Sequence, residues 1–439
     1  MRGRRFQRGF SMHTPQAALL LKRRFGPIFV TQFLGAFNDN LYRSALLFSL
    51  SFGVSINGAA SAALLAAVAG GVFILPYFLF SGLAGQLADR IDKAYIARLV
   101  KLAEVAIMIL GGIGLVLQSI PVMLIALFAM GAHSTFFGPV KYAILPQHLS
   151  EHELMAGTGM VEAGTFLSIL LGQIAGGILH HETAAMAVLV VAAVGLLASL
   201  AIPPAAPAPG RPALDRNPWT STKSMLMELK DQPGILPAAL GIAWFFALGG
   251  VLTQEMVPLA RHINAGPGVA VLFLSLFSVG VAIGSMIVAR LLQGKVDARY
   301  VPTTSLVIAL AILDLSISTR QHSALAPTVA VFLADPNAWR IMADILAIAI
   351  SGGIYIVPLY AILQTLSRPA VRSQTIAASN ILNAIAMVSI ASVAALLAAL
   401  AAPIPTVFLV LGIVGMIVSA CFMYVQLKAI GGEDQAYKI

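Results

Sequence analysis

Apolar runs of about 18 residues or more recur along the whole 439-residue chain, each long enough to cross a ~30 Å hydrocarbon core as a helix. Twelve such runs are predicted, near 27–51, 60–81, 97–118, 122–142, 156–179, 184–202, 235–258, 269–292, 301–319, 340–364, 374–400 and 405–427. The longest polar interruption, PPAAPAPGRPALDRNPWTSTKSMLMELKDQPG at 203–234, is rich in proline, which cannot continue a helix, and in charge, which stays in water. It separates six runs from six. The pattern predicts an all-α membrane protein with twelve transmembrane helices in two six-helix bundles, residues 26–202 and 235–427, joined by the linker 203–234. Residues 1–25 and 428–439 read as tails.

The two halves echo each other. GPVKYAILPQHLS at 138–150 resembles VPLYAILQTLS at 357–367, and both lead into a helix with a polar face. Internal repeats of this kind build many transporters, with the substrate site between them near the midplane.

Composition agrees: 59% of residues are hydrophobic and 10% charged, against roughly 25% charged in soluble domains. The formal charge of +9 takes its meaning from topology, because cytoplasmic connections are enriched in Lys and Arg. With the N-terminus inside, inward segments hold Arg2, Arg4, Arg5, Arg8, Lys22, Arg23, Arg24, Arg90, Lys93, Arg98, Lys101, Arg211, Arg216, Lys223, Lys230, Arg290, Lys295, Arg299, Arg368, Arg372, Lys428 and Lys438. Outward segments hold Arg261, Arg320 and Arg340. Both termini are therefore expected in the cytoplasm, and no nucleic-acid partner is implied. The run AALLL after the basic N-terminus is too short for a signal peptide's apolar core. Cys421, the single cysteine, leaves no internal disulfide to form.

Some residues contradict their surroundings. In TQFLGAFNDNLYRSALLFSL at 31–50, Asn38, Asp39, Asn40 and Arg43 stand at the centre of a membrane run. Asp39 lies roughly 20 Å along the helix, where charge is costly unless it faces a bundle interior or a wet cavity. Arg43 follows at i+4, so the two share a face and are expected to neutralise each other. This face is a candidate headgroup site, with a structural pair between helices as the alternative. Lys141, after Gly138-Pro139, and Glu162 on the fifth run are candidates for an ion pair or, for Lys141, a phosphate contact. In the second half Gln254 and Glu255 are expected to face Asn380 and Asn383, one turn apart on the eleventh run. A zwitterionic headgroup needs a base for its phosphate and an acid or amide for its amine, and this inventory holds both. Glu104, Asp314 and the lone His133 are read as structural.

Between the second and third runs, Gly85, Asp89, Arg90, Asp92 and Lys93 in GQLADRIDK, followed by Arg98, fit the G-x-x-x-D-R-x-[GD]-[RK] pattern. Here the chain resembles the major facilitator superfamily. The segment reads as a latch: glycine lets helices approach, and Asp89 is placed to meet bases or the positive end of a neighbouring helix. The counterpart GSMIVARLLQGKVDARYVP at 284–302 lacks the acid, so the latch is expected to be asymmetric. FLGAFNDN, DRIDK, FFGPVKYAILPQ, GMVEAGTFLSILLG, FSVGVAIGS and AASNILNA together look like the lysophospholipid transporter branch. That resemblance, over about 27–427, implies movement of lysophospholipids from the outer to the inner leaflet of the bacterial inner membrane, for reacylation by an acyltransferase/acyl-ACP synthetase partner. Thr158, Gly159 and Ser379 depart from it where asparagine is common.

Other classes find less support. There is no G-x-x-x-x-G-K-[ST] loop for ATP, and no nucleophile elbow, zinc-like Cys/His cluster or His-x4-Asp for an acyltransferase. No cofactor or metal is expected, nor enzyme activity; a monomer is. The remaining alternative is a major facilitator exporter of a drug or other small solute.

Overall fold

The computed structural model describes residues 16–49, 59–210, 212–215, 217–232, 234–321 and 325–430. Arg2, Arg4, Arg5, Arg8, Arg211, Arg216 and Lys438, with the larger part of both predicted tails, lie outside the described residues.

Among the described residues twelve long helices follow one another: α1 (Gly26–Phe48), α2 (Ala59–Arg90), α3 (Lys93–Val116), α4 (Ile120–Ala143), α5 (Glu151–Ile178), α6 (His181–Leu200), α7 (Ile235–His262), α8 (Pro267–Leu291), α9 (Val301–Gln321), α10 (Pro336–Leu366), α11 (Arg372–Ala399) and α12 (Ile404–Ile430). Eleven of them are long and apolar enough to cross a membrane; α1 falls short because its central amides and charges interrupt it. It is carried instead by its neighbours, packing along α5 and α6. Among the described residues the one β-type contact is an isolated bridge between Ala265 and Ala326. Backbone polar groups at bilayer depth have no water to bond, so helices that satisfy themselves are the expected solution.

In the first bundle α1 packs on α5 and α6, α2 on α4, and α3 on α4 and α6. In the second, α7 packs on α10 and α11, α8 on α10, and α9 on α10 and α12. The bundles meet where α5 crosses α8 and α10, and where α11 crosses α2 and α4. Small residues set these distances. A Cβ on Gly172 of α5 would lie 2.4 Å from the Phe37 carbonyl oxygen of α1. One on Gly85 of α2 would lie 2.8 Å from Ala377 Cβ and 2.9 Å from Gln374 Cα of α11.

The second apolar run was expected to end near residue 81, yet α2 continues to Arg90. The extra turns are stabilised by what they touch. Asp89 is buried and accepts from the backbone N–H of Ser373 (2.8 Å) and of Gln374 (3.0 Å), and from Gln374 Nε2 (3.3 Å). A carboxylate thus sits on the positive N-terminus of α11. Asp92 caps α3 by accepting from Ala94 N and Tyr95 N, and its other oxygen accepts from Ala205 N at 2.8 Å. Arg90 donates to the Pro212 carbonyl, Arg98 to that of Ile202 at 2.8 Å, and the backbone N–H of the buried Lys93 to that of Ala205 at 3.1 Å. These four residues therefore fasten the linker, while Gly85 and Asp89 fasten the two bundles.

A linker helix, Pro218–Lys230, lies across the same end. Gln86 of α2 donates to Ser221 Oγ at 2.6 Å, and Glu228 pairs with Arg368 beyond α10. Thr158 Oγ1 of α5 donates to Gln364 Oε1 of α10 at 2.9 Å. The bundles are thus closed at the linker end, whereas α11 presents exposed Ile385, Val388, Val393 and Leu396 further along.

Three outcomes are expected. Gly172→Leu should cost about 1–3 kcal/mol through overpacking against α1, lowering the thermal midpoint in detergent. Gly177→Ala, with nothing within 4 Å of the added methyl, should leave it unchanged. Asp89→Asn removes the charge from the α11 N-terminus, worth about 1–2 kcal/mol, so the population open at the linker end should rise roughly 5- to 30-fold. Thiol labelling of Ser379→Cys from the linker side, in a Cys421→Ala background, reads that shift.

Candidate functional site

The polar residues of α1 point in different directions. Asp39 turns toward α4, where its Oδ2 accepts from Ser134 Oγ at 2.7 Å; its Oδ1 is buried without a partner. Arg43 lies over the ring of Phe73 on α2, 5.9 Å from the centroid. The expected neutralisation across one turn gives way to these two contacts, because Ser134 offers the carboxylate a direct donor and Phe73 offers the guanidinium a flat apolar face. Asn40 donates to the Ala36 carbonyl of its own helix at 2.8 Å, beside Gly172 of α5. Asn38 is fully buried on another side of the helix and donates to Glu104 Oε1 of α3 at 3.0 Å.

A second group forms around the repeated Tyr-Ala-Ile-Leu segments. Tyr142 of α4 and Tyr360 of α10 occupy the same place in the two repeats, and their rings stack with centroids 4.0 Å apart and 12° between planes. Repeats related by an axis along the membrane normal bring symmetry-related residues together on that axis. The Tyr142 hydroxyl donates to Glu162 Oε1 of α5, while Glu162 Oε2 is buried without a partner. Lys141 Nζ stands 4.6 Å from the Tyr142 ring centroid, within electrostatic reach of both Glu162 and Asp39. Among the described residues neither Lys141 nor Arg43 has a carboxylate at ion-pair distance.

From the other bundle, the Asn380 amide of α11 fills the space left by Gly138; a Cβ there would lie 2.9 Å from its Nδ2. Asn383 is buried, with Oδ1 unpartnered. Gln254 is exposed and Glu255 half-buried. Gly250 of α7 sets the register against α11, since a Cβ on it would be 3.5 Å from Met387 Cε. Asn383 lies about one turn nearer the linker end than that contact, and Gln254 about one turn beyond it, so the two are separated by roughly 10 Å along the axis. The structure brings Lys141, Glu162 and Asn380 to the bundle interface, holds Asp39 on Ser134 within the first bundle, and leaves Gln254 and Glu255 apart.

Sequence reasoning missed a buried charged cluster. Lys101 and Glu104 on α3 pair with side chains 1% and 0% exposed, and His133 Nε2 of α4 lies 3.1 Å from Glu104 Oε2. In the sequence Glu104 stands close to Arg98 and Lys101 and reads as structural, and His133 reads as a lone packing residue. The signal was available: three ionisable groups within two apolar runs call for partners inside the bundle.

A family model described as the Major Facilitator Superfamily matches residues 28–334. The chain is 27% identical over 380 residues to the lysophospholipid transporter LplT of Photorhabdus laumondii, covering 84% of this chain and 87% of that protein. It is 29% identical over 399 residues to lysophospholipid transporter LplT of Escherichia coli (strain K12 / DH10B), covering 86% and 89%. Among solved structures, the human organic anion transporter MFSD10 (TETRAN) superposes with a TM-score of 0.72 at 16% identity, covering 93% of this chain and 100% of that one. Two six-helix bundles, a repeat that meets itself on their common axis and a family match over most of the chain agree: this multi-pass membrane protein belongs to the major facilitator superfamily.

Proposed function

We propose that the protein is a secondary transporter that moves lysophospholipids, such as lysophosphatidylethanolamine, from the outer to the inner leaflet of the bacterial inner membrane. Similarity to the LplT proteins supports the substrate class. The observation that carries the reading is the charge pattern at and beside the bundle interface. Asp39 and Glu162 each keep one unpartnered oxygen, and Arg43 and Lys141 have no carboxylate partner among the described residues. An open carboxylate oxygen suits an ammonium and an unpaired base a phosphate; Glu162 stands level with Gln32, about 10 Å along the axis from Asp39, so these charges line a path and do not close on one point.

A protein is needed because carrying an uncompensated charged headgroup through hydrocarbon is prohibitive, whereas the tail is at home there. The headgroup would descend between the bundles while the acyl chain stays in hydrocarbon. Residues 26–202 and 235–427 would rock against each other about the interface, with the linker end cytoplasmic. Asp89, with Gly85, would release α11 as the state changes, and Arg90, Asp92, Lys93 and Arg98 would keep the linker attached. Delivery to the inner leaflet places the product where an acyltransferase/acyl-ACP synthetase partner reacylates it.

Uptake of labelled lysophosphatidylethanolamine by right-side-out vesicles tests the assignment, with and without a collapsed proton gradient. Export of a small solute without lysolipid uptake would reverse it. Lys141→Gln should raise KM roughly 10- to 100-fold, the loss of one charge-assisted hydrogen bond of about 1.5–3 kcal/mol. Asp39→Asn should impair uptake of the ethanolamine lysolipid more than that of an amine-free glycerol headgroup. Equal effects on the two would remove Asp39 from amine recognition.

A further inference from the structure

The cluster behind Asp39 has features that stability alone does not explain. Lys101 and Glu104 are one turn apart on α3 and buried, and the ammonium donates to Glu104 Oε2. Asn38 supplies the Oε1 contact, and His133 Nε2 approaches Oε2, so a single carboxylate gathers groups from α1, α3 and α4. Room for the lysine is built in. A Cβ on Gly35 of α1 would lie 3.4 Å from its Nζ, and one on Gly195 of α6 would lie 2.8 Å away. Buried ion pairs gain little or nothing over well-packed apolar residues of similar volume, because desolvation offsets the attraction.

The register of the cluster supplies a reason for it. Asn38 and Asp39 are consecutive on α1, and His133 and Ser134 are consecutive on α4. Asn38 and His133 contact Glu104; Asp39 and Ser134 bond each other on the next position of each helix. The two contacts are adjacent rungs across the same pair of helices, one anchored on α3 and one facing the site. Resting on the headgroup reading, we propose that Lys101, Glu104 and His133 form a positioning network that fixes the Asp39 carboxylate and Ser134 hydroxyl for the amine of the lipid headgroup, through Asn38 on α1. Glu104 is the hub, Lys101 holds its charge, and Asn38 transmits its position to the site.

The test compares two neutral versions of the network. In Lys101→Met/Glu104→Gln the amide still accepts from Asn38, so KM for lysophosphatidylethanolamine should stay within threefold of wild type. In Lys101→Met/Glu104→Leu both charges are gone and so is the acceptor, so KM should rise at least tenfold with maximal rate within threefold. A simple staple between helices predicts the same KM for both. Asn38→Leu leaves the ion pair intact and should raise KM as the second variant does; it carries the test if the leucine double variant fails to fold. Wild-type KM in Asn38→Leu, or in the folded leucine double variant, overturns the proposal. If wild-type vesicles take up no lysolipid, the substrate assignment falls. The network is then read from carbodiimide labelling of Asp39, mapped by mass spectrometry: an at least threefold change in Asn38→Leu supports it, and an unchanged rate sinks it.

Discussion

A polar atom at bilayer depth has to find its partner inside the chain, because hydrocarbon offers none. That constraint organises this protein. It makes the backbone helical throughout the spanning segments and draws Asn38, Lys101, Glu104 and His133 into one knot within the first bundle. It also gives weight to the exceptions. Asp39 Oδ1, Glu162 Oε2 and Asn383 Oδ1 are buried without partners, and all three belong to residues at or beside the bundle interface. Open valences are not confined to that interface: Asn38 Oδ1, both His133 ring nitrogens, Arg98 Nε and Arg372 Nε are likewise buried without a hydrogen-bond partner.

The apolar runs made the helices legible, since length and hydropathy alone mark a spanning segment. They were less informative at the ends. The turns from Gly85 to Arg90 look polar and read as a connection, but α11 and the linker cover them, so they remain helical. Pairwise spacing was a weaker guide. Asp39 and Arg43 have the i+4 separation of an ion pair, yet contacts with other helices decided their rotamers. Gln254 was matched to Asn380 by residue type, and helix register, which no single sequence displays, separates them. Lys101 and Glu104 are neighbours on one helix, but His133 is distant along the chain; that it joins them depends on α3 and α4 packing side by side.

The repeat connects these observations. Tyr142 and Tyr360 stack face to face because symmetry brings like positions together on the axis. The stack lies toward the linker end of both helices, one turn from the Thr158–Gln364 bond, and Glu162, bonded to Tyr142, keeps a carboxylate beside it.

Contacts away from the axis differ in kind. At the linker end the bundles are joined by the Asp89 carboxylate on a helix terminus, a Thr158–Gln364 hydrogen bond and glycine-spaced crossings, and the linker helix is tied to the second bundle by the Glu228–Arg368 pair. Each of these is worth on the order of 1 kcal/mol net, far less than the apolar packing inside each bundle. Breaking them together costs an amount comparable with the gain from satisfying a bound headgroup's charge. An interface built from a few polar contacts over small residues can therefore open without disturbing the bundles, and the deeply buried Lys101–Glu104 pair, which would be costly to separate, lies inside one bundle and moves with it.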